Sequence, residues 1–267
     1  MPSWVVTGAS RGIGLEFVKQ LSDESQNVVF ALVRSPPNAE LAGLAASRAN
    51  VHIVMADIAH HESVGRAASK VGELTGGKLD VLINNACHPG LPSKFYPTST
   101  FLGKEAELQE EIGASVGVNV LGTMYCINHF LPLIRKGEHK KIIYITSGSG
   151  DMGFTRQVGV TATVGYGMSK AGMMLVMAKY AAELEVEGIK TLSLSPGWVA
   201  TDLTRGLLTS PEILDVALKM MQKANPDVKG MMSPEESVRM QLKVIEGLTM
   251  EQSGMVLSHH GDENNWV

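Results

Sequence analysis

The sequence predicts an α/β architecture: a single parallel sheet of about seven strands with helices on both faces. Three features carry that prediction. Short unbroken runs of Val, Ile and Leu alternate with longer segments of helical period along the whole chain. The runs lack polar alternation, as strands buried on both faces do. No repeat, low-complexity tract or Pro/Gly-rich linker interrupts the alternation, so residues 1–267 read as one domain. The class that follows is the doubly wound, Rossmann-like one.

In order, the strand-like runs are "WVVT" (4–7), "NVVFALV" (27–33), "VHIVMA" (51–56), "LDVLINN" (79–85), "KIIYITS" (141–147), "KTLSLS" (190–195) and "GMVLS" (254–258). Helical patterns lie at 12–23, 38–48, 61–75, 104–136, 164–187 and 234–247. Loops at 86–103, 148–163 and 196–233 exceed a tight connection, and each follows a strand. All three are expected at the carboxyl edge of the sheet, where open α/β folds bind ligands. The last contains Leu203, Leu207, Leu208, Met220, Met221, Met231 and Met232, which suit either a surface-packing helix or an adaptable substrate lid over about 198–233.

Composition excludes several classes of function. Charged residues make up 19% of the chain and the net charge is −4 without a basic run, which argues against a nucleic-acid partner. No apolar run reaches the ~20 residues a bilayer span requires, so no membrane partner is expected. "WVVTGAS" near the start reads as a buried strand entering a turn, not as a targeting segment. Cys87 and Cys126 are the only cysteines, which suits a reducing compartment. The expectation is a soluble cytoplasmic protein. His60–His61 and His259–His260 lack a third ligand at suitable spacing and read as exposed pairs, so no metal is expected.

"TGASRGIG" (7–14) leaves the first strand and opens the first helix. Gly8, Gly12 and Gly14 permit a tight turn and close backbone approach, and Ile13 lies between the last two. The helix N-terminus there attracts phosphate charge, which makes the turn a dinucleotide site. An NAD site places an acidic residue about 20 positions on, for the ribose 2′-hydroxyl. Here Arg34 stands twenty positions after Gly14, and residues 28–39 contain no Asp or Glu. A guanidinium suits a 2′-phosphate, and Arg11 adds a second, so the expected cofactor is NADP(H). Asp57 follows the third strand and suits either the adenine amino group or the N-cap of the next helix. "NNA" (84–86) ends the fourth strand, where asparagine side chains can tie loops around a bound dinucleotide.

In "VGYGMSKAGMM" (164–174), Tyr166 precedes Lys170 by four positions, one helical turn apart on one face. The pair suits a solvated surface contact or a chemical role, since a cation beside a phenol favours the phenolate.

"TGASRGIG", "NNA", "GVNVLG" (117–122), "YITSGSG" (144–150), "YGMSK" (166–170) and "SPGWVATD" (195–202) stand in the order of the short-chain dehydrogenases/reductases, which the chain resembles over nearly its whole length. "SPEESVRMQLKVIEGLT" (233–249) and "SGMVLSHHGDENNW" resemble the branch of the C-factor proteins, carbonyl reductases and fungal polyketide ketoreductases of the norsolorinic acid type. The resemblance implies a cofactor half at about 1–120 and a catalytic half at about 121–267. It implies that Tyr166 is the general acid, that Lys170 holds the nicotinamide ribose and lowers the tyrosine pKa, and that Ser147 bonds the substrate carbonyl. It implies that Asn119 positions a relay water. Gly8, Arg11, Gly12, Ile13, Arg34, Asp57, Asn84 and Thr201 match its cofactor-contacting positions, and Pro196 and Gly197 its nicotinamide turn. A homodimer or homotetramer through helices 104–136 and 164–187 is likewise implied. With the rest of the motifs in place, Tyr166 and Lys170 read as the catalytic pair.

Two departures stand out. Cys87 replaces the glycine of the family's "NNAG" and reads as a small packing residue. Eighteen residues separate Ser147 from Tyr166, more than is common, and Ser149 competes with Ser147; Ser147 is preferred because it ends the strand. Met152 and Phe154 in that loop, and Trp198 after the Pro–Gly turn, are candidate contacts for a hydrophobic substrate, polycyclic ones included, or ordinary packing residues. The expected function is NADPH-dependent reduction of a small-molecule ketone or aldehyde. An NADP-binding regulatory protein and a non-redox cyclase or dehydratase are the alternatives.

Overall fold

The computed structural model describes residues 1–202, 204 and 210–267. Its seven strands are β1 (Ser3–Thr7), β2 (Val28–Val33), β3 (Val51–Met55), β4 (Val81–Asn84), β5 (Lys141–Ile145), β6 (Lys190–Ser195) and β7 (Val256–Ser258). They form one sheet in the order β3-β2-β1-β4-β5-β6-β7, and every neighbouring pair is parallel. In register, Val5 of β1 lies between Phe30 of β2 and Leu82 of β4.

Side chains alternate between two cores, as the pleat requires. Val5, Phe30, Leu32, Leu82, Ile142 and Tyr144 face one core. It is closed by α3 (His61–Thr75), α5 (Thr123–Ile134) and α7 (Val164–Leu184). Val6, Val29, Ala31, Val33, Ile83 and Ile143 face the other, under α1 (Gly12–Asp23), Leu41 of α2 (Ala39–Ser47) and the last helix, Pro234–Gly247. Both faces are covered, which is why the strands read as unbroken apolar runs.

The helix predicted over 104–136 is α4 (Glu105–Val116) and α5 joined by a wide π turn at Gly117–Gly122. Such bulges often mark functional positions, and this one carries the fully buried Asn119.

The three long loops are more structured than expected. The first holds 3₁₀ turns at Pro92–Phe95 and Thr98–Phe101. The second holds α6 (Met152–Val158), capped by Asp151 through its bond from the Phe154 N–H (2.6 Å). The third holds α8 (Pro211–Gln222), so the last helix is α9. α8 bears out the surface-packing helix as one of the two readings of that loop, whereas the 3₁₀ turns and the seven-residue α6 are too short for the periodicity to show. Of the apolar residues expected in the third loop, Leu203, Leu207 and Leu208 lie outside the described residues. No described helix is long and apolar enough to cross a membrane.

Candidate active site

After β1 the chain crosses to α1 on one face, and after β4 to α4 on the other. The two connections diverge, opening a crevice at the carboxyl edge. Contacts between their backbones fix its floor. Gly8 has φ +68°, and a Cβ there would lie 2.7 Å from the Ala86 Cα. Thr7 Oγ1 accepts the N–H groups of Asn85 and Ala86 (3.0 Å each), and Asn85 Nδ2 donates to the carbonyls of Thr7 (3.0 Å) and Gly8 (3.3 Å). Gly14 is pressed between the Gly8 carbonyl and Asn85 Nδ2, with no room for a side chain. No side chain caps α1, so its first N–H groups face the crevice unclaimed.

A groove of about 270 Å³ runs along this floor. It brings together Gly8, Arg11, Gly12, Ile13, Gly14, Arg34, Asp57 and Thr201. Arg11 and Arg34 are exposed on its rim. Asp57 does not cap α3, whose N-cap is His60; its Oδ1 accepts the Ala59 N–H (3.1 Å). Asn84 is a correction: its side chain turns into the sheet, Nδ2 donating to the Ile143 carbonyl (3.2 Å), and the asparagine bordering the groove is Asn85. Asn84 is the last residue of β4 and shares the buried face of Leu82, whereas Asn85 leaves the strand.

A second cavity of about 320 Å³ adjoins the first and shares Ile13, Asn85, Cys87, Pro89 and Thr201 with it. Ser147, Ser149, Tyr166, Lys170, Pro196, Gly197, Phe154 and Trp198 all line it. Ser147 lies two residues past the end of β5 and caps the following 3₁₀ turn, its Oγ accepting the Ser149 N–H (3.2 Å). Pro196 follows β6, and its carbonyl accepts from Ser237 Oγ on α9 (2.7 Å), which holds the Pro–Gly turn in place. Tyr166 and Lys170 project from the first turns of α7, as their spacing required. The helix opens at Thr163, whose φ of +60° is strained for a β-branched residue. The strain is held by a 2.6 Å bond from its N–H to the Lys94 carbonyl.

Several expectations are corrected. Lys170 Nζ lies 5.5 Å from the Tyr166 ring centroid and 4.7 Å from that of Tyr144, but donates to the Ile145 carbonyl (2.7 Å). Tyr166 does not have a lowered pKa. Burial pushes its phenol up, the neighbouring Cys87 adds to the rise, and Ser147 opposes it. Burial likewise lowers Lys170. In both groups desolvation of the charged form is the largest cause. The Asn119 side chain is fully engaged: Oδ1 accepts the His88 N–H (2.6 Å), and Nδ2 donates to the His88 carbonyl (3.0 Å) and to Oγ of Ser169, the neighbour of Lys170 (2.8 Å). Its side chain pins the loop that carries Cys87. Met152 is 82% exposed on the outer side of α6 and does not border the cavity, whereas Phe154, two positions on, does. Cys87 is an exposed thiol on the wall between the two cavities, not a packing residue. His259 is buried against Gly197, because the chain turns inward after β7, while His60, His61 and His260 are exposed. Burial and then His260 lower the His259 pKa to about 4.

Three features were missed. Trp266 and Val267 return to line the cavity within an apolar cluster containing Phe154 and Val158. The only sequence signal for this is an aromatic residue in the otherwise polar "DENNWV". Met221 of α8 reaches the same cavity. Lys94, in "PSKF", is a buried cation on its wall, with nothing in the local sequence to announce it.

An open parallel sheet with a glycine-floored groove at its switch point, joined to a cavity bearing Ser, Tyr and Lys, defines a class of nucleotide-binding α/β proteins. The short chain dehydrogenase family profile matches residues 3–211. Short-chain dehydrogenase/reductase atnB of an Arthrinium species is 65% identical over 267 residues, covering 100% of both chains. AacuF of Aspergillus aculeatus, a short-chain dehydrogenase/reductase, is 39% identical, again over 100% of both. Among solved structures, the NADPH-bound carbonyl reductase from chicken fatty liver aligns with a TM-score of 0.78 at 27% identity, covering 98% of each chain. The chain belongs to the short-chain dehydrogenase/reductase family of oxidoreductases.

Proposed function

We propose that this protein uses NADP(H) to reduce a ketone or aldehyde on a hydrophobic, aromatic substrate to an alcohol. The observation that carries the reading is the junction of the two cavities: a groove with the chemistry of a dinucleotide site opens directly onto a chamber holding Ser147, Tyr166 and Lys170.

The groove fits the cofactor. Gly8 and Gly14 leave a floor that any side chain would fill, and the uncapped start of α1 offers N–H groups to phosphate. Arg11 and Arg34 supply positive charge where a 2′-phosphate needs it, and the NADPH recorded for the chicken carbonyl reductase supports the same choice. Ile13, Asn85, Thr201, Lys170 and the Pro196–Gly197 turn would hold the remainder. The bound nicotinamide supplies the hydride.

The protein's own groups manage the oxygen. Ser147 Oγ donates to the carbonyl oxygen and orients it, and Tyr166 transfers its phenolic proton to that oxygen as negative charge builds. The raised pKa of Tyr166 keeps the donor protonated at neutral pH. Once the proton has left, the Lys170 ammonium, 5.5 Å from the ring, stabilises the phenolate. Phe154, Trp198, Met221 and Trp266 supply an apolar wall that excludes water from the exchange.

The test is nicotinamide absorbance on titration of aromatic ketones with NADPH. Tyr166→Phe is expected to lower turnover by about 10²–10⁴-fold, the range for loss of a general acid, with NADPH binding retained. Undiminished turnover in that variant would refute the assignment. Turnover without nicotinamide consumption would identify a non-redox enzyme.

A further inference from the structure

Lys94 interrupts the apolar wall of the substrate cavity. It lies on the 3₁₀ turn Pro92–Phe95, only 8% of its surface is exposed, and it borders the cavity. Among the described residues its ammonium has no ion pair or hydrogen bond; the contact it makes is with the Phe95 ring, 5.3 Å from the centroid. Glu111 is the carboxylate whose field reaches it, though the two form no ion pair within 4.0 Å. Glu111 Oε2 accepts from the Leu91 N–H (2.8 Å) and Ser93 Oγ (3.3 Å), and Oε1 is buried without a hydrogen-bond partner among the described residues.

The side chain is buried, which lowers the lysine pKa, while Nζ is not among the polar atoms sealed off without a partner. The residue is also positioned with care. Its carbonyl accepts the N–H of Thr163, the strained residue that opens α7 three positions before Tyr166. The turn carrying the cation and the helix carrying the proton donor are thus fastened together across one chamber. Ser147 and Tyr166 already supply the two donors a carbonyl oxygen needs. A lysine at a separate point of the wall meets a different atom of the ligand, and an ammonium without an ion-pair partner selects an anionic oxygen.

We infer that Lys94 determines specificity: the cavity takes a hydrophobic ketone that bears an anionic oxygen, a carboxylate or an ionised phenol, away from the carbonyl, and the Lys94 ammonium pairs with it. The inference rests on the reductase reading above for the ketone, but not for the anion.

The test pairs 4-acetylbenzoate with its methyl ester, and 6-hydroxy-2-acetonaphthone with its methyl ether, above the pKa of the naphthol. Binding to the NADP-loaded protein is read from quenching of tryptophan fluorescence, since Trp198 and Trp266 border the cavity. Turnover is read separately from NADPH absorbance. At least one anion is expected to bind about tenfold more tightly than its neutral partner, the effect of one charge-assisted bond. Lys94→Met should abolish that preference by weakening the anion alone, with the neutral ketone within about twofold of wild type. Lys94→Arg should retain it. The two arms report whether carboxylate or phenolate is preferred. Equal binding of anion and neutral partner by the wild type, or no binding of either, overturns the inference. So does an equal loss of both in Lys94→Met, which would make Lys94 a structural counter-charge to Glu111. Preferential binding without turnover would sustain the Lys94 assignment and refute the reductase.

Discussion

Removing the Arg34 guanidinium should separate the two nicotinamide cofactors. Arg34 follows directly on β2, and Arg11 sits in the turn before α1; both border one groove and both are exposed. A shielded hydrogen bond to a charged group contributes about 1.5–3 kcal/mol. Exposure and salt screening reduce that to about 1 kcal/mol for each arginine, equivalent to about five- to tenfold in affinity. Arg34→Ala should therefore raise the NADPH Kd about five- to tenfold, and Arg11→Ala should do the same. The double variant should approach the product, because the two guanidiniums reach one phosphate from different elements. NADH, which has no 2′-phosphate, should bind all three variants within about twofold of wild type. Fluorescence titration of both cofactors at low and high salt measures this, and the NADPH advantage should shrink as salt rises. Parallel weakening of NADH, or a wild-type preference for NADH, would refute the reading of this rim.

Three further outcomes are expected. Gly14→Ala places a methyl 2.5 Å from Asn85 Nδ2 and against the Gly8 carbonyl; a loss of about 1–3 kcal/mol should appear in thermal melts together with weaker NADPH binding, and wild-type behaviour in both would show the floor to be looser than described. Asn119→Ala removes three bonds to His88 and Ser169; denaturant unfolding should show a loss of about 2–4 kcal/mol, and an unchanged midpoint would count against the pinning role. Asp80 is buried, which raises its pKa, but bonds from Ser3, Glu138 and His139 outweigh burial and hold it below 3.8. A depressed folded pKa stabilises above the unfolded value and is lost as pH falls through the folded one. Wild type should therefore lose stability more steeply than Asp80→Asn below about pH 4, and parallel acid-unfolding curves would contradict this.

Much of the site was legible in order along the chain. The apolar runs announced seven strands because both sheet faces are covered. Tyr166 and Lys170 announced each other because four residues make about one helical turn, and the glycines at 8, 12 and 14 announced a turn too tight for side chains. These are local regularities, written in spacings of a few residues.

What the sequence by itself determined is therefore the α/β class, the glycine-floored groove with its two arginines, and the one-face pairing of a phenol with an amine. Only the tertiary structure decided how those groups are surrounded. Asn85 rather than Asn84 meets the groove because β4 ends between them. Asn119 bonds to His88 and Ser169, thirty-one and fifty positions away, which no local spacing records. Trp266 closes a cavity opened by residues more than a hundred positions earlier, and Lys94 joins it from a 3₁₀ turn. The proton affinity of Tyr166 belongs to this second set as well, since it is raised by the burial the whole fold imposes. The physical reason is common to all of them. Desolvation and side-chain pairing depend on what distant segments bring to within a few ångströms, and no local spacing records it.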